Sequence, residues 1–217
     1  MMKRYLFFDL DGTLTDSMPG IVHAIQYALR RFGIEPPADE ALRCFVGPPL
    51  RDSFMEFCGM SAEEAERAVS VSREYFVPKG MFENELYEGI PELLDATCAA
   101  GCANIIATSK PQPFAERIIA HFGLTARFQL VCGSLLDGSR TTKSQVIGHA
   151  LQTLGISPDE AVMIGDRRYD IEGAAGYGME SIAAGWGYAA SGELEAARPT
   201  RFARDVAALR RLLVGSR

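Results

Sequence analysis

The chain has 217 residues, 47% of them hydrophobic and 23% charged, which gives room for one good core or one domain with an insertion. Lys and Arg number 22 against 28 Asp and Glu, a formal charge of -6 that supplies no basic stripe for nucleic-acid phosphates. The five cysteines, Cys44, Cys58, Cys98, Cys102 and Cys132, are odd in number and lack paired short spacings, so no disulfide framework is expected.

Two basic residues, Lys3 and Arg4, precede the apolar stretch Tyr5 to Phe8, but Asp9 and Asp11 break it after four residues, far short of a signal-peptide core. No stretch elsewhere has the length and apolarity of a membrane span. The expectation is a cytoplasmic protein in a reducing setting, with no membrane and no nucleic-acid partner.

Tyr5 to Phe8 predicts a buried strand ending at Asp9, with Gly12 allowing a sharp turn after it. Beyond Pro19 the period becomes helical: Ile21, Ile25, Ala28 and Phe32 share one face, and Gly33 ends the helix. Pro48-Pro49 opens a helix carrying Leu50, Phe54 and Phe57. Ser61 and Glu64 have capping-box spacing ahead of a helix through Val69 and Phe76, which Pro78-Lys79-Gly80 breaks. Residues 16–83 therefore read as a small all-helical insert, and residues 1–15 with 84–217 as the domain that it interrupts.

From Pro91 onward helices and strands alternate. The strands are Asn104 to Thr108, Phe128 to Cys132, Ala161 to Ile164 and Ser181 to Ala184. Helices start at Pro111 and after Asp170, run from Lys143 to Leu154, and close the chain from Asp205. Such alternation predicts an α/β fold: a doubly wound, Rossmann-like parallel sheet with helices on both faces.

Ligands of such sheets bind beyond the carboxyl ends of the strands. Those ends carry Asp9-Leu10-Asp11-Gly12-Thr13, then Thr108-Ser109-Lys110, then Gly165-Asp166 with Asp170 one turn on; Lys143 starts the helix after the third strand. Carboxylates gathered in one cleft repel unless protonated, paired or bound to a cation, and a hard divalent ion such as Mg²⁺ meets that need. Lysines and hydroxyls suit the oxygens of a phosphoryl group instead. On an extended segment residues i and i+2 face one side, so Asp9 and Asp11 can serve one phosphorus, one attacking and the other handling the proton.

These segments resemble the four motifs of the haloacid dehalogenase (HAD) superfamily, in order and across essentially the whole chain. Phe7 to Ser17 looks like the first, Thr108-Ser109-Lys110 the second, Lys143 the third and Gly165 to Asp170 the fourth. The resemblance implies a phosphoric monoester hydrolase with Asp9 as nucleophile and Asp11 as acid/base. It implies phosphate binding by Thr108, Ser109 and Lys143, and Mg²⁺ held by Asp9, Asp11 (through its backbone carbonyl), Asp166 and Asp170. The helical insert is similar to the cap of phosphoglycolate phosphatase-like members, and Val46 to Phe54 to the 5′-nucleotidase-like group, with Arg51 a candidate substrate contact. A small phosphorylated metabolite as substrate, and a monomer or homodimer, are expected.

Several other readings compete. An EF-hand loop counted from Asp9 fails, because Leu14 and Gly20 stand where Gly and Glu are required. A P-loop ending in Lys143-Ser144 fails, because Thr142 and Asp137 stand where glycines are required. A phospho-receiver domain would have an adjacent acidic pair and no large insert after the first strand; a sugar-phosphate mutase would keep both aspartates but resist water. Asp170 alone also reads as a helix cap. His23, His121 and His149 read as core or surface residues, and Lys110 and Trp186 acquire no role.

Overall fold

The computed structural model describes residues 3–215. The chain divides into two compact units, one running through Thr15 and resuming at Leu86, the other spanning Asp16–Glu85.

The first unit is built on strand β1 (Tyr5–Phe8), whose residues Leu6 to Phe8 are all buried. Five strands join it: β4 (Ala103–Pro111), β5 (Leu130–Ser134), β6 (Ala161–Gly165), β7 (Glu180–Ala184) and β8 (Arg201–Ala203). The sheet order is β5-β4-β1-β6-β7-β8, every pairing parallel. The chain builds outward from β1 through β4 to β5, then returns to place β6 on the other side of β1. That reversal opens a crevice at the carboxyl ends of β1, β4 and β6.

Alternation along the strands assigns the two faces. Phe7, Ile105, Ala107, Cys132, Ala161 and Met163 form one buried layer with Val146, Ile147 and Ala150 of α6 (Lys143–Leu154) and Ala174 of α7 (Arg168–Ala175). Asn104 belongs to the other face and bonds to Thr97 and the Leu94 carbonyl of α4 (Ile90–Ala99). Helices α5 (Gln112–His121), α8 (Glu193–Ala197) and α9 (Val206–Val214) complete this unit. Cys102 and Cys132 are buried and all five cysteines are free thiols.

The second unit holds α1 (Met18–Arg31), α2 (Leu50–Cys58) and α3 (Ala62–Phe76), with 3₁₀ turns at Asp39–Phe45 and Gly80–Phe82. Ile21, Ile25 and Ala28 face its core as their spacing requires, and Ser61 and Glu64 make the reciprocal capping box that starts α3. Phe57 is 45% exposed, outside the core that takes Phe54. Two-residue strands β2 (Thr15–Asp16) and β3 (Glu85–Leu86) pair with each other where the chain passes between the units. Among the described residues no helix is long and apolar enough to cross a membrane.

Candidate active site

Asp9 follows the last residue of β1, and its N–H continues the ladder by donating to the Ile164 carbonyl of β6. The Leu10 carbonyl then accepts from the N–H groups of Leu14 and Thr15 at 2.9 and 3.0 Å, so the chain closes a tight loop beyond the strand. Gly12 makes that loop possible: its φ is +79°, and a Cβ there would collide with the Asp166 carboxylate. Asp9 Oδ1 accepts from the Leu10 N–H at 2.7 Å and pairs with Lys143 Nζ at 2.8 Å.

Lys143 is the first residue of α6, placed by the capping box of Thr142 and Gln145. Its ammonium, buried beneath the helix start, also reaches Asp170 Oδ1 at 2.8 Å and donates to the Ala107 carbonyl at 3.0 Å. Burial disfavours its charge, yet Asp170 and Asp9 outweigh burial and raise its pKa above that of an ordinary lysine. Asp170 lies in the first turn of α7, where Oδ2 accepts from the Arg167 N–H at 3.1 Å. It is thus a helix cap and a partner of Lys143 at once.

Asp166, immediately after β6, is fully buried. Its Oδ1 accepts from the Thr13 hydroxyl at 3.1 Å and its Oδ2 from the Tyr188 N–H at 2.7 Å. Burial pushes its carboxyl well above the usual carboxylate range, and the charges of Asp170 and Asp9 push it further. Burial likewise raises Asp170, against the pull of Lys143.

Asp9, Asp166 and Asp170 each offer an oxygen within 4.8 Å of the others. Three buried carboxylates facing one buried lysine leave negative charge uncompensated, and their all-oxygen donor set fits a hard cation. The Asp11 carboxylate stands outside this cluster, paired with Lys110 Nζ at 2.9 Å.

Thr108 and Lys110 of β4 are buried and Ser109 between them is half-buried. The Thr108 hydroxyl accepts from the Lys110 N–H at 3.2 Å. Asp9, Asp11, Thr108, Ser109, Lys143, Asp166 and Asp170 thus all belong to the α/β unit and its crevice. Arg51 belongs to the helical unit, on α2, where it pairs with Glu66 of α3 at 2.9 Å.

Sequence reasoning assigns no role to the Gly-rich loop after β7, and the structure supplies one. Trp186 Nε1 donates to the Thr13 carbonyl at 3.1 Å, and Tyr188 supplies the backbone donor to Asp166. A side chain at Gly187 would strike both Asp166 and the Gly12 carbonyl. The available signal was Gly185-Trp186-Gly187, small residues flanking a large one just beyond a strand end.

Residues 6–184 match the model of a family described as haloacid dehalogenase-like hydrolases. The chain belongs to that family. It is 43% identical over 208 residues to a 5′-nucleotidase of Pseudomonas aeruginosa, covering 96% of this chain and 94% of that protein. It is 40% identical over 185 residues to the tyrosine-protein kinase PtkA of Mycobacterium tuberculosis, covering 85% of this chain and 63% of that one. The crystal structure of a predicted phosphatase from Clostridium acetobutylicum superposes with a TM-score of 0.96 at 41% identity, covering all of both chains. With this fold and these relatives, the protein is a HAD-type phosphatase.

Proposed function

We propose that this HAD-type phosphatase hydrolyses small phosphate monoesters, with Mg²⁺ as its cation and a phosphoaspartate on Asp9. The observation that carries the reading is the buried cluster of Asp9, Asp166 and Asp170 around Lys143 at the crevice of a parallel sheet. Mg²⁺ bound by those carboxylates and the Asp11 carbonyl would neutralise their charge and that of a phosphoryl oxygen.

The Leu10 N–H and Lys143 hold Asp9 Oδ1, which leaves Oδ2 as the attacking oxygen. As Oδ2 bonds to phosphorus and the ester bond breaks, Asp11 gives its proton to the leaving oxygen. Water then attacks the phosphoaspartate while Asp11 takes the proton back, and phosphate leaves with Asp9 restored. Lys143, Thr108 and Ser109 bind the oxygens of the transferring group. The helical unit acts as the cap that sets substrate range, and we assign Arg51 to substrate selection.

Nucleoside 5′-monophosphates come first among candidate substrates, because a relative 43% identical is named a 5′-nucleotidase. The test is a screen of phosphorylated metabolites and p-nitrophenyl phosphate with purified protein and Mg²⁺, reading inorganic phosphate and the oligomeric state in parallel. Catalytic release is expected, from a monomer or homodimer. Asp9→Asn is expected to lower turnover at least roughly 10³-fold with the fold intact. Retained turnover in that variant overturns the nucleophile assignment. Isomerised sugar phosphate without free phosphate points to a mutase, and stable phosphorylation of the protein without turnover to a phospho-receiver.

A further inference from the structure

We propose that Lys110 is a positioning residue for Asp11: it fixes Oδ2 and leaves Oδ1 as the oxygen that exchanges the proton. The inference rests on Asp11 being the acid/base of the proposed hydrolysis.

The pair is close and enclosed. Lys110 Nζ lies 2.9 Å from Asp11 Oδ2, with side chains only 5% and 12% exposed. Asp11 Oδ1 is also buried, yet it has no hydrogen-bond partner. One oxygen is therefore committed to a cation and the other is desolvated and available. A base whose second atom is held by a third group is the arrangement by which acid/base residues keep a fixed aim.

The backbone under Lys110 is built for this. The pairing of β4 with β5 is in register through Ala107↔Cys132, then shifts before Pro111↔Ser134. Such an irregularity next to a site re-aims the side chains it carries. Gly133 of β5 lies so close to the Lys110 carbonyl and Gln112 that no Cβ fits there. The Lys110 N–H is held by the Thr108 hydroxyl. Lys143 does not share the task, since its partners are Asp9, Asp170 and the Ala107 carbonyl. Lys143 pairs with Asp9, the nucleophile, and with Asp170, whereas Lys110 pairs with Asp11, the proton carrier.

The proton bookkeeping leaves Lys110 unchanged. Oδ1 loses a proton to the leaving oxygen as the ester bond breaks, and regains one from water as its oxygen bonds to phosphorus. The ammonium keeps its protons throughout, holding Oδ2 in place and offsetting the charge that appears on the carboxylate.

A purely structural ion pair would alter stability and all substrates alike. Positioning of the proton carrier makes a different prediction, because a good leaving group needs no proton. We would measure kcat/KM for alkyl phosphate and for 2,4-dinitrophenyl phosphate in wild type, Asp11→Asn, Lys110→Met, Lys110→Gln and Lys110→Arg. Folding would be checked by circular dichroism. Asp11→Asn is expected to lose roughly 10²-fold or more on the alkyl ester and little on the dinitrophenyl ester.

Lys110→Met should show the same split, at least tenfold between the two esters, with Lys110→Arg restoring most of it. Should Lys110→Met not fold, Lys110→Gln carries the same test. An equal loss on both esters, or none, while Asp11→Asn splits them overturns the role of Lys110 alone. No split in Asp11→Asn overturns the acid/base reading and this inference with it.

Discussion

Asp166 has every hydrogen bond a buried carboxylate needs for its orientation, from Thr13 and Tyr188, and still bears too much negative company. An amide at that position keeps both contacts: Nδ2 can donate to the Thr13 oxygen, while Oδ1 accepts from the Tyr188 N–H. Asp166→Asn removes only the charge. In the absence of divalent cation it is expected to raise the thermal midpoint by about 2–4 °C, the shift that roughly 1 kcal/mol produces in a chain of this size. Its activity is expected to be lost. Scanning calorimetry in chelator checks this, and a midpoint below wild type would show that repulsion in the cluster is already relieved.

At the level of elements, α7 and α8 are joined by a carboxylate rather than by apolar area alone. Glu193 accepts from Arg167 Nε at 2.8 Å and from the N–H groups of Arg168 and Ala190 at 3.0 Å. Burial works against its charge, but the bonds from Arg167, Arg168 and Ala190 prevail and hold it below the ordinary 4.5. A carboxyl depressed on folding contributes stability that is fully present above its unfolded value and is lost as pH falls through its folded value. Glu193→Gln should therefore cost about 1 kcal/mol near pH 7, with the gap from wild type closing below about pH 4.5. Urea midpoints at several pH values measure that gap, and a constant difference would rule out the charge as its source. Both α8 and β8 escaped the sequence reading. Each is too short for a period to show, and β8 is an edge strand whose Phe202 is 50% exposed.

Across the whole molecule, the division into two units makes cation binding a local event. Asp9, Asp11, Asp166 and Asp170 all belong to the α/β unit. A ligand that binds only the folded form stabilises by an amount that grows with its concentration, about 2.7 kcal/mol at a hundred times its Kd. Thermal melts of chelator-treated protein are expected to rise with added Mg²⁺, and any separate transition of the helical unit should stay in place. No rise at millimolar Mg²⁺ would count against the cation site.

The alternation of strands and helices, the insert after β1 and the acidic strand ends could be read along the chain, because periodicity, glycine stops and capping pairs are local. The span of α6 from Lys143 to Leu154 and the capping box at Ser61 were legible for that reason. Tertiary structure alone decided the partners. Lys110 meets Asp11 because β4 lies beside β1 with Ile106 opposite Phe8. Asp166 is completed by a backbone N–H of a distant loop, a donor that every residue but proline carries and no side chain announces.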